Sequence, residues 1–146
     1  MSDELKIFEL YMEMAAEQEQ PQMTVYKNGS KAWRLHGKLH RDDGPAIEFA
    51  SGSREWYIHD RPHREDGPAI EYANGYRAWY LHGELHREDG PAVESASGAR
   101  AWWLHGKHYA TAEAWAQAVL EMRNKPHDAE AVQKYVRMIL TKDDLI

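Results

Sequence analysis

The fold is decided by the stretch Gly75-Tyr-Arg-Ala-Trp-Tyr-Leu-His-Gly-Glu-Leu-His-Arg-Glu-Asp-Gly-Pro-Ala-Val-Glu94, which recurs with a period of 23 residues. Earlier copies begin at Gly29 and Gly52, and a fourth, incomplete copy begins at Gly98. A fixed period without insertions indicates one supersecondary unit stacked on itself. Such an array presents rows of equivalent side chains, which favours binding over an extended surface rather than a single catalytic pocket.

Each repeat is predicted to form an antiparallel β-hairpin. The turn signals are Asn-Gly or Ser-Gly pairs between short β-prone runs. The predicted strand pairs are 23–27 with 31–36, 46–50 with 54–59, 69–73 with 77–82, and 92–96 with 100–105. The residues between hairpins, such as 37–45, are expected to form loops with a Gly-Pro break before the next strand.

Strand alternation then distributes the side chains over two faces. A two-residue Asn-Gly turn predicts Ile70, Tyr72, Trp79 and Leu81 on one face, and Trp79 belongs to the column Trp33/Trp56/Trp79/Trp102 of equivalent positions in the repeats. The opposite face is predicted to carry the columns Glu48/Glu71/Glu94, Arg34/Tyr57/Tyr80/Trp103 and His36/His59/His82/His105. A three-residue turn with a bulge would shift one strand against the other and leave the columns within each strand unchanged.

Helical segments are predicted on both sides of the array. Residues 1–20 carry apolar side chains at helical spacing after Ser2, a plausible N-cap. Beyond the array, Thr111 and Asp128 are the expected N-caps of two further amphipathic helices. We expect the three helices to cap the array ends and to cover part of the apolar sheet face, because an uncovered face of that kind invites aggregation.

The predicted fold class is therefore α+β, with about four stacked hairpins in one antiparallel sheet. Residues 1–21 form the N-terminal helix, 22–109 the repeat array and 110–146 the two-helix C-terminal cap. We expect all three segments to belong to one structural domain.

Composition narrows the function classes. The chain has a formal net charge of -6, which argues against a nucleic-acid partner and an anionic membrane surface. It has no cysteine, which suits a reducing cytoplasm and removes thiolate chemistry. No apolar run approaches a membrane span, and the first residues do not form a secretory signal, so we expect a cytoplasmic protein.

The heptad His-Arg-x-Asp-Gly-Pro-Ala occurs at 40–46, 63–69 and 86–92, and Tyr26–Gly29 reads Tyr-x-Asn-Gly. Over residues 23–108 the chain resembles MORN repeats, most closely the divergent MORN-like variety found mainly in phage, giant-virus and bacterial proteins. The resemblance implies a sheet of hairpins used as a scaffold for protein contact or dimerisation. Some bacterial relatives are filed as antitoxins, and small phage proteins of this size often inhibit host defences.

The predicted function is non-catalytic protein binding, as a phage-type inhibitor of a host defence component that acts by steric blocking or assembly, or as an antitoxin. A homodimer is a further expectation. The predicted partner-binding residues combine aromatic rings with charges, as protein hot spots do. They are Arg34, Tyr57, Tyr80, Trp103, Glu48, Glu71 and Glu94. The competing interpretation is that these rings shield strand backbones or pack beneath a helix.

The alternative function is capture of a small anionic ligand, such as a nucleotide, by a row of guanidinium groups. Its candidate residues are His40, Arg41, Asp43, His63, Arg64, Asp66, His86, Arg87 and Asp89. A structural Arg–Asp bond within the loop or to the next repeat explains the same pattern. Histidines spaced by whole hairpins do not supply four converging ligands, so neither a metal nor another cofactor is expected. Three equivalent Glu–His pairs also argue against an enzyme.

Overall fold

The computed structural model describes residues 2–143 and shows an α+β protein. The helices in that range are α1 (Asp3–Gln18), α2 (Ala112–Met122) and α3 (Ala129–Asp143). The strands are β1 (Gln22–Val25), β2 (Lys31–Leu35), β3 (Lys38–Leu39), β4 (Ile47–Glu48), β5 (Arg54–Glu55), β6 (Tyr57–Ile58), β7 (Arg61–Pro62), β8 (Ile70–Glu71), β9 (Arg77–Ala78), β10 (Tyr80–Leu81), β11 (Glu84–Leu85), β12 (Val93–Glu94), β13 (Arg100–Leu104) and β14 (Lys107–Tyr109).

The strands follow one antiparallel meander. In the described chain the large sheet runs β1-β2-β4-β5-β8-β9-β12-β13-β14, with β3 paired to β2, and β6–β7 and β10–β11 form two small sheets. Backbone hydrogen bonds also link successive small hairpins, for example from Arg64 N to Tyr80 O at 3.0 Å. Equivalent strands of neighbouring repeats therefore stand roughly 10 Å apart, two strand spacings.

The Asn-Gly and Ser-Gly turns have three residues rather than two. Tyr72 N donates to Tyr76 O at 2.9 Å, so Ala73, Asn74 and Gly75 form the loop. Gly75 has φ +96°, a left-handed conformation that glycine adopts without steric cost. The extra residue shifts the predicted register by one, and the partners are Ile70 with Ala78 and Glu71 with Arg77.

This register corrects the predicted faces. Side chains alternate along a strand, so the tryptophan column shares its face with Glu48, Glu71 and Glu94. We call this the tryptophan face. The opposite, tyrosine face carries Ile47, Ile70, Val93, Phe49 and Tyr72 with the column Arg34/Tyr57/Tyr80/Trp103. The prediction that the glutamate and tyrosine columns share a face is wrong for this reason, while the columns within each strand are confirmed.

A second hairpin lies inside the segments predicted as loops. Leu35 pairs with Lys38 across His36 and Gly37, which have φ of 50° and 78°. Positive φ at both central positions is the geometry of a two-residue type I′ turn. His59–Asp60, His82–Gly83 and His105–Gly106 repeat this turn, so each tight turn consists of one histidine followed by glycine or aspartate.

The rest of each predicted loop is a large bulge in one strand. His63 N donates to Trp56 O at 3.1 Å, and Trp56 N donates to Ala69 O at 2.7 Å. A single tryptophan therefore pairs with both His63 and Ala69, and residues 64–68 between them bulge out of the ladder at this tryptophan. Residues 41–45 and 87–91 do the same opposite Trp33 and Trp79. We call these three segments the bulge loops.

The main hydrophobic core lies between the last hairpin and the two C-terminal helices. Trp115 of α2 packs against Trp102 with ring centroids 4.7 Å apart, and Val119 and Val136 are buried in the same cluster. Thr111 and Asp128 cap the two helices through bonds to Ala114 N and Ala131 N. These helices cover the tryptophan face at the last repeat and leave the tyrosine face open.

Helix α1 does not cover the sheet. Its large apolar side chains are exposed, with Ile7 at 68% and Tyr11 at 67%. Ser2 Oγ accepts from Leu5 N at 3.4 Å, so the predicted N-cap is present, but the expectation that α1 packs on the array is wrong. An amphipathic pattern predicts a helix but does not indicate which surface the apolar side of the helix packs against. None of the helices within residues 2–143 is long and apolar enough to cross a membrane.

Candidate functional site

The bulge loops fold their arginines back onto the tryptophans. The guanidinium carbon of Arg64 lies 3.9 Å from the Trp56 ring centroid, within cation–π range. Its Nε donates to Asp66 Oδ1 at 2.9 Å, and its Nη1 donates to Pro68 O at 3.0 Å and to Glu71 Oε1 at 3.2 Å. Arg41 and Arg87 make the equivalent contacts in their own repeats.

These contacts occupy the side chains that an anionic ligand would need. Arg64 is only 21% exposed, whereas its partner Asp66 is 87% exposed. The groove between the first two bulge loops has a volume of about 830 Å³, and its walls include Asp42, Asp43 and Glu65. A groove of this kind presents carboxylates to an incoming ligand and holds its guanidinium groups against the sheet, which disfavours anions.

The histidines of the heptads link one repeat to the next. His63 Nδ1 accepts from His82 N at 2.9 Å, and the two rings lie 4.5 Å apart. His40 with His59, and His86 with His105, make the same bond. His86 Nε2 lies 3.2 Å from Glu88 Oε2, which fits a neutral ring protonated at Nε2. Among the residues described, no three His, Asp or Glu side chains group as metal ligands.

The tyrosine face is an open aromatic surface. Tyr57 and Tyr80 are half-buried in their strands, Tyr72 and Phe49 are exposed, and no helix of the described chain lies over them. The Tyr72 and Tyr76 rings stack with centroids 5.3 Å apart. Aromatic side chains that pack against each other and remain open to solvent supply rigid contact area for a partner.

Glu55 is the residue of this face that sequence reasoning missed. It is 9% exposed and accepts a hydrogen bond from the Tyr57 hydroxyl at 2.8 Å. Burial, then the hydrogen bond and charge of Glu55, raise the pKa of Tyr57. Burial and the same carboxylate raise the pKa of Tyr72. The signal was available in the repeat alignment, because alanine occupies the equivalent positions 32, 78 and 101.

The seven predicted partner-binding residues separate into two groups. Arg34, Tyr57, Tyr80 and Trp103 lie together on the tyrosine face, where Arg34 Nη1 donates to Tyr26 Oη at 3.0 Å. The three glutamates lie on the tryptophan face and form ion pairs with the bulge-loop arginines. Glu71 and Glu94 also pair with Arg54 and Arg77. The glutamates therefore contribute to holding the bulge loops in place.

Comparison with known proteins returns no match. A scan against protein-family models, a search of curated proteins and a search of solved structures each find nothing similar to this chain.

Proposed function

We propose that the protein is a non-catalytic binding protein that docks on a protein partner through its tyrosine face. The observation that carries the proposal is an open sheet face on which Tyr57, Tyr72 and Tyr80 lie with no helix of residues 2–143 above them. Monomeric proteins rarely leave a large apolar patch uncovered unless it binds something. Tyrosine rings on rigid strands lose little conformational entropy on binding, which suits an interface core.

The mechanism in this proposal is steric. Hydrogen bonds between repeats hold the face rigid, so that docking covers a surface of the partner without remodelling either chain. Such a protein would block the partner or hold it in an assembly. The sequence resemblance to MORN-like proteins directs the search toward host defence components and toxins, as partners of an inhibitor or an antitoxin.

The test uses the charge variant Tyr80→Asp and the ring-preserving variant Tyr80→Phe. Each tagged protein is used to purify partners from bacterial cells, and any stoichiometric protein is then produced and titrated by calorimetry. We expect wild type and Tyr80→Phe to bind alike and Tyr80→Asp to bind at least about 10-fold more weakly, because it places a charge in the interface core. Equal binding by Tyr80→Asp, with its fold intact by circular dichroism, refutes the proposal.

The exposed apolar side chains of α1 form a second surface, separate from the tyrosine face, through which two copies of the chain would associate. A second copy that covers Ile7, Phe8 and Tyr11 would remove apolar surface from water. Light scattering with size-exclusion chromatography measures the mass in solution. A dimer that becomes monomeric in Phe8→Asp would assign α1 to self-association, and the partner titrations would then be interpreted per dimer.

A further inference from the structure

Glu55 breaks the repeat at a position where a charge is costly. The other three copies have alanine there, and Ala32 and Ala78 are buried. Register places Glu55 opposite Ile47 on one side and Ile70 on the other, in the middle of the tyrosine face. Moving a carboxylate from water into apolar surroundings costs several kcal/mol unless an opposite charge or enough donors compensate it.

No basic side chain of the described chain compensates Glu55 with an ion pair. The adjacent Arg54 points to the other face and pairs with Glu71 at 2.7 Å, and Arg34 donates to Tyr26. The Tyr57 hydroxyl donates to Glu55 at 2.8 Å, and the Tyr72 hydroxyl is the second hydrogen-bond donor to this carboxylate. Two neutral hydroxyls leave about half of the acceptor capacity of the carboxylate unused, since each of its oxygens accepts two bonds, and they do not neutralise its charge.

The surroundings of Glu55 suit a cation from outside. The hydroxyl groups of Tyr57 and Tyr72 both interact with the carboxylate, which raises their pKa values, and both tyrosines lie on the same sheet face as Glu55. An ammonium or guanidinium group binds favourably to a carboxylate and to the faces of aromatic rings. Its aliphatic stem would lie along the neighbouring isoleucines, as long basic side chains do on apolar surfaces.

We infer that Glu55 is the anchor for a lysine or arginine side chain of the protein partner, flanked on that partner by apolar residues. The inference rests on the proposed function and names the partner chemistry that the tyrosine face selects. The partner's cation completes the coordination of Glu55, and the hydrogen bond from Tyr57 holds the carboxylate in place before binding. Specificity follows because a partner without the cation leaves Glu55 buried and unpaired.

The test compares two pools of short peptides on immobilised protein. The pools are identical except that the fixed central residue is lysine in one and its uncharged isostere norleucine in the other, between randomised apolar positions. Retained peptide is quantified by mass spectrometry. We expect wild type to retain the lysine pool about 10-fold better than the norleucine pool, as a desolvated ion pair does when one partner loses its charge.

Two variants of Glu55 complete the test. Glu55→Ala restores the residue of the other repeats, so it should fold with a melting temperature no lower than wild type. Glu55→Gln keeps a hydrogen-bond acceptor and removes the charge. Both should lose the lysine preference, whereas Glu113→Ala, which removes an exposed charge from α2, should keep it. If Glu55→Ala does not fold, Glu55→Gln decides alone.

The outcomes separate this inference from the proposed function. Equal retention of both pools by wild type, or a lysine preference that survives in both Glu55 variants, overturns the inference. The proposed function then stands if Tyr80→Asp loses both pools. Wild type that retains neither pool overturns the inference, and the calorimetric comparison of the Tyr80 variants still decides the proposed function.

Discussion

Arg64 lies over the ring of Trp56, and the close approach of a glycine makes the arrangement possible. A Cβ atom added to Gly67 would stand 2.9 Å from the guanidinium carbon of Arg64, closer than such contacts normally occur. The same relation holds for Gly90 and Arg87 at 2.6 Å. The heptad pattern therefore encodes one packed unit, in which the arginine fills the space that the glycine leaves open.

Replacing Arg64 by lysine is expected to lower the free energy of unfolding by about 2 kcal/mol, because an ammonium group cannot reproduce the planar fork that reaches Asp66, Pro68 O and Glu71. Urea unfolding monitored by tryptophan fluorescence measures the change. Arg137→Lys, at an exposed position on α3, is the matched control. If Arg64→Lys and Arg137→Lys have equal free energies of unfolding, the planar guanidinium group of Arg64 contributes nothing to stability.

Nucleotides are not expected to stabilise the protein. The guanidinium groups of the bulge loops are already bonded internally, and the exposed groups there are carboxylates. A panel of mono- and dinucleotides at about 1 mM should leave the melting temperature unchanged, since a ligand raises it only when its concentration exceeds its dissociation constant. A rise that Arg64→Lys abolishes would restore the anionic-ligand hypothesis.

The tight turns predict a strict ranking of substitutions at His82. Its φ is 49°, a region that histidine and asparagine tolerate and that β-branched residues avoid. His82→Asn should leave the unfolding midpoint near wild type, and His82→Val should lower stability by about 1–2 kcal/mol. Thermal melts of both variants give the comparison. Equal melting temperatures would contradict the strained-turn interpretation.

Stability should fall in alkali. Burial raises the pKa of Tyr57, Tyr72 and Tyr80 above the usual 10.0, with Glu55 adding to the effect at Tyr57 and Tyr72. Because the folded state holds these protons more tightly than the unfolded chain, their contribution is complete below pH 10.0 and is lost as the pH rises above it.

Melting temperatures measured between about pH 9 and pH 11 test this linkage, with the reference tyrosine pKa near the middle of the range. Tyr57→Phe should show a shallower decline than wild type, because it removes one of the raised groups. Parallel declines in the two proteins would assign the alkaline sensitivity to other residues.

The period and the hairpin positions could be read from the sequence, because glycine turns and β-prone runs recur without a gap. The faces could not be assigned, since one residue in the turn moves every side chain of a strand to the other side. Asn74-Gly75 is compatible with both a two-residue and a three-residue turn, and only the pairing of Tyr72 with Tyr76 distinguishes them. Local sequence therefore predicts the repeated hairpin, but it does not determine how the two strands of the hairpin are paired.

The candidate site shows the same division. Sequence placed Tyr57 and Tyr80 in one column, and the structure brings them onto one face. The repeated histidines and arginines form bonds within and between the repeats, whereas Glu55 departs from the repeat and accepts a hydrogen bond from Tyr57. The position of α1 was also beyond prediction, because an apolar stripe does not say which surface covers it.

The bulge loops limit the lengths of insertions and deletions that the repeat array can accept without losing its contacts. Each tryptophan pairs with residues on both sides of its loop, and each heptad histidine bonds a turn 19 residues further on. A deletion or insertion of arbitrary size would move an arginine off its ring and a histidine off its turn at the same time. Gain or loss of a whole unit of 23 residues would preserve every one of these relations. Unequal recombination between copies can therefore lengthen or shorten this protein by whole repeats. Each repeat adds two strands, so each step changes the width of the sheet by roughly 10 Å.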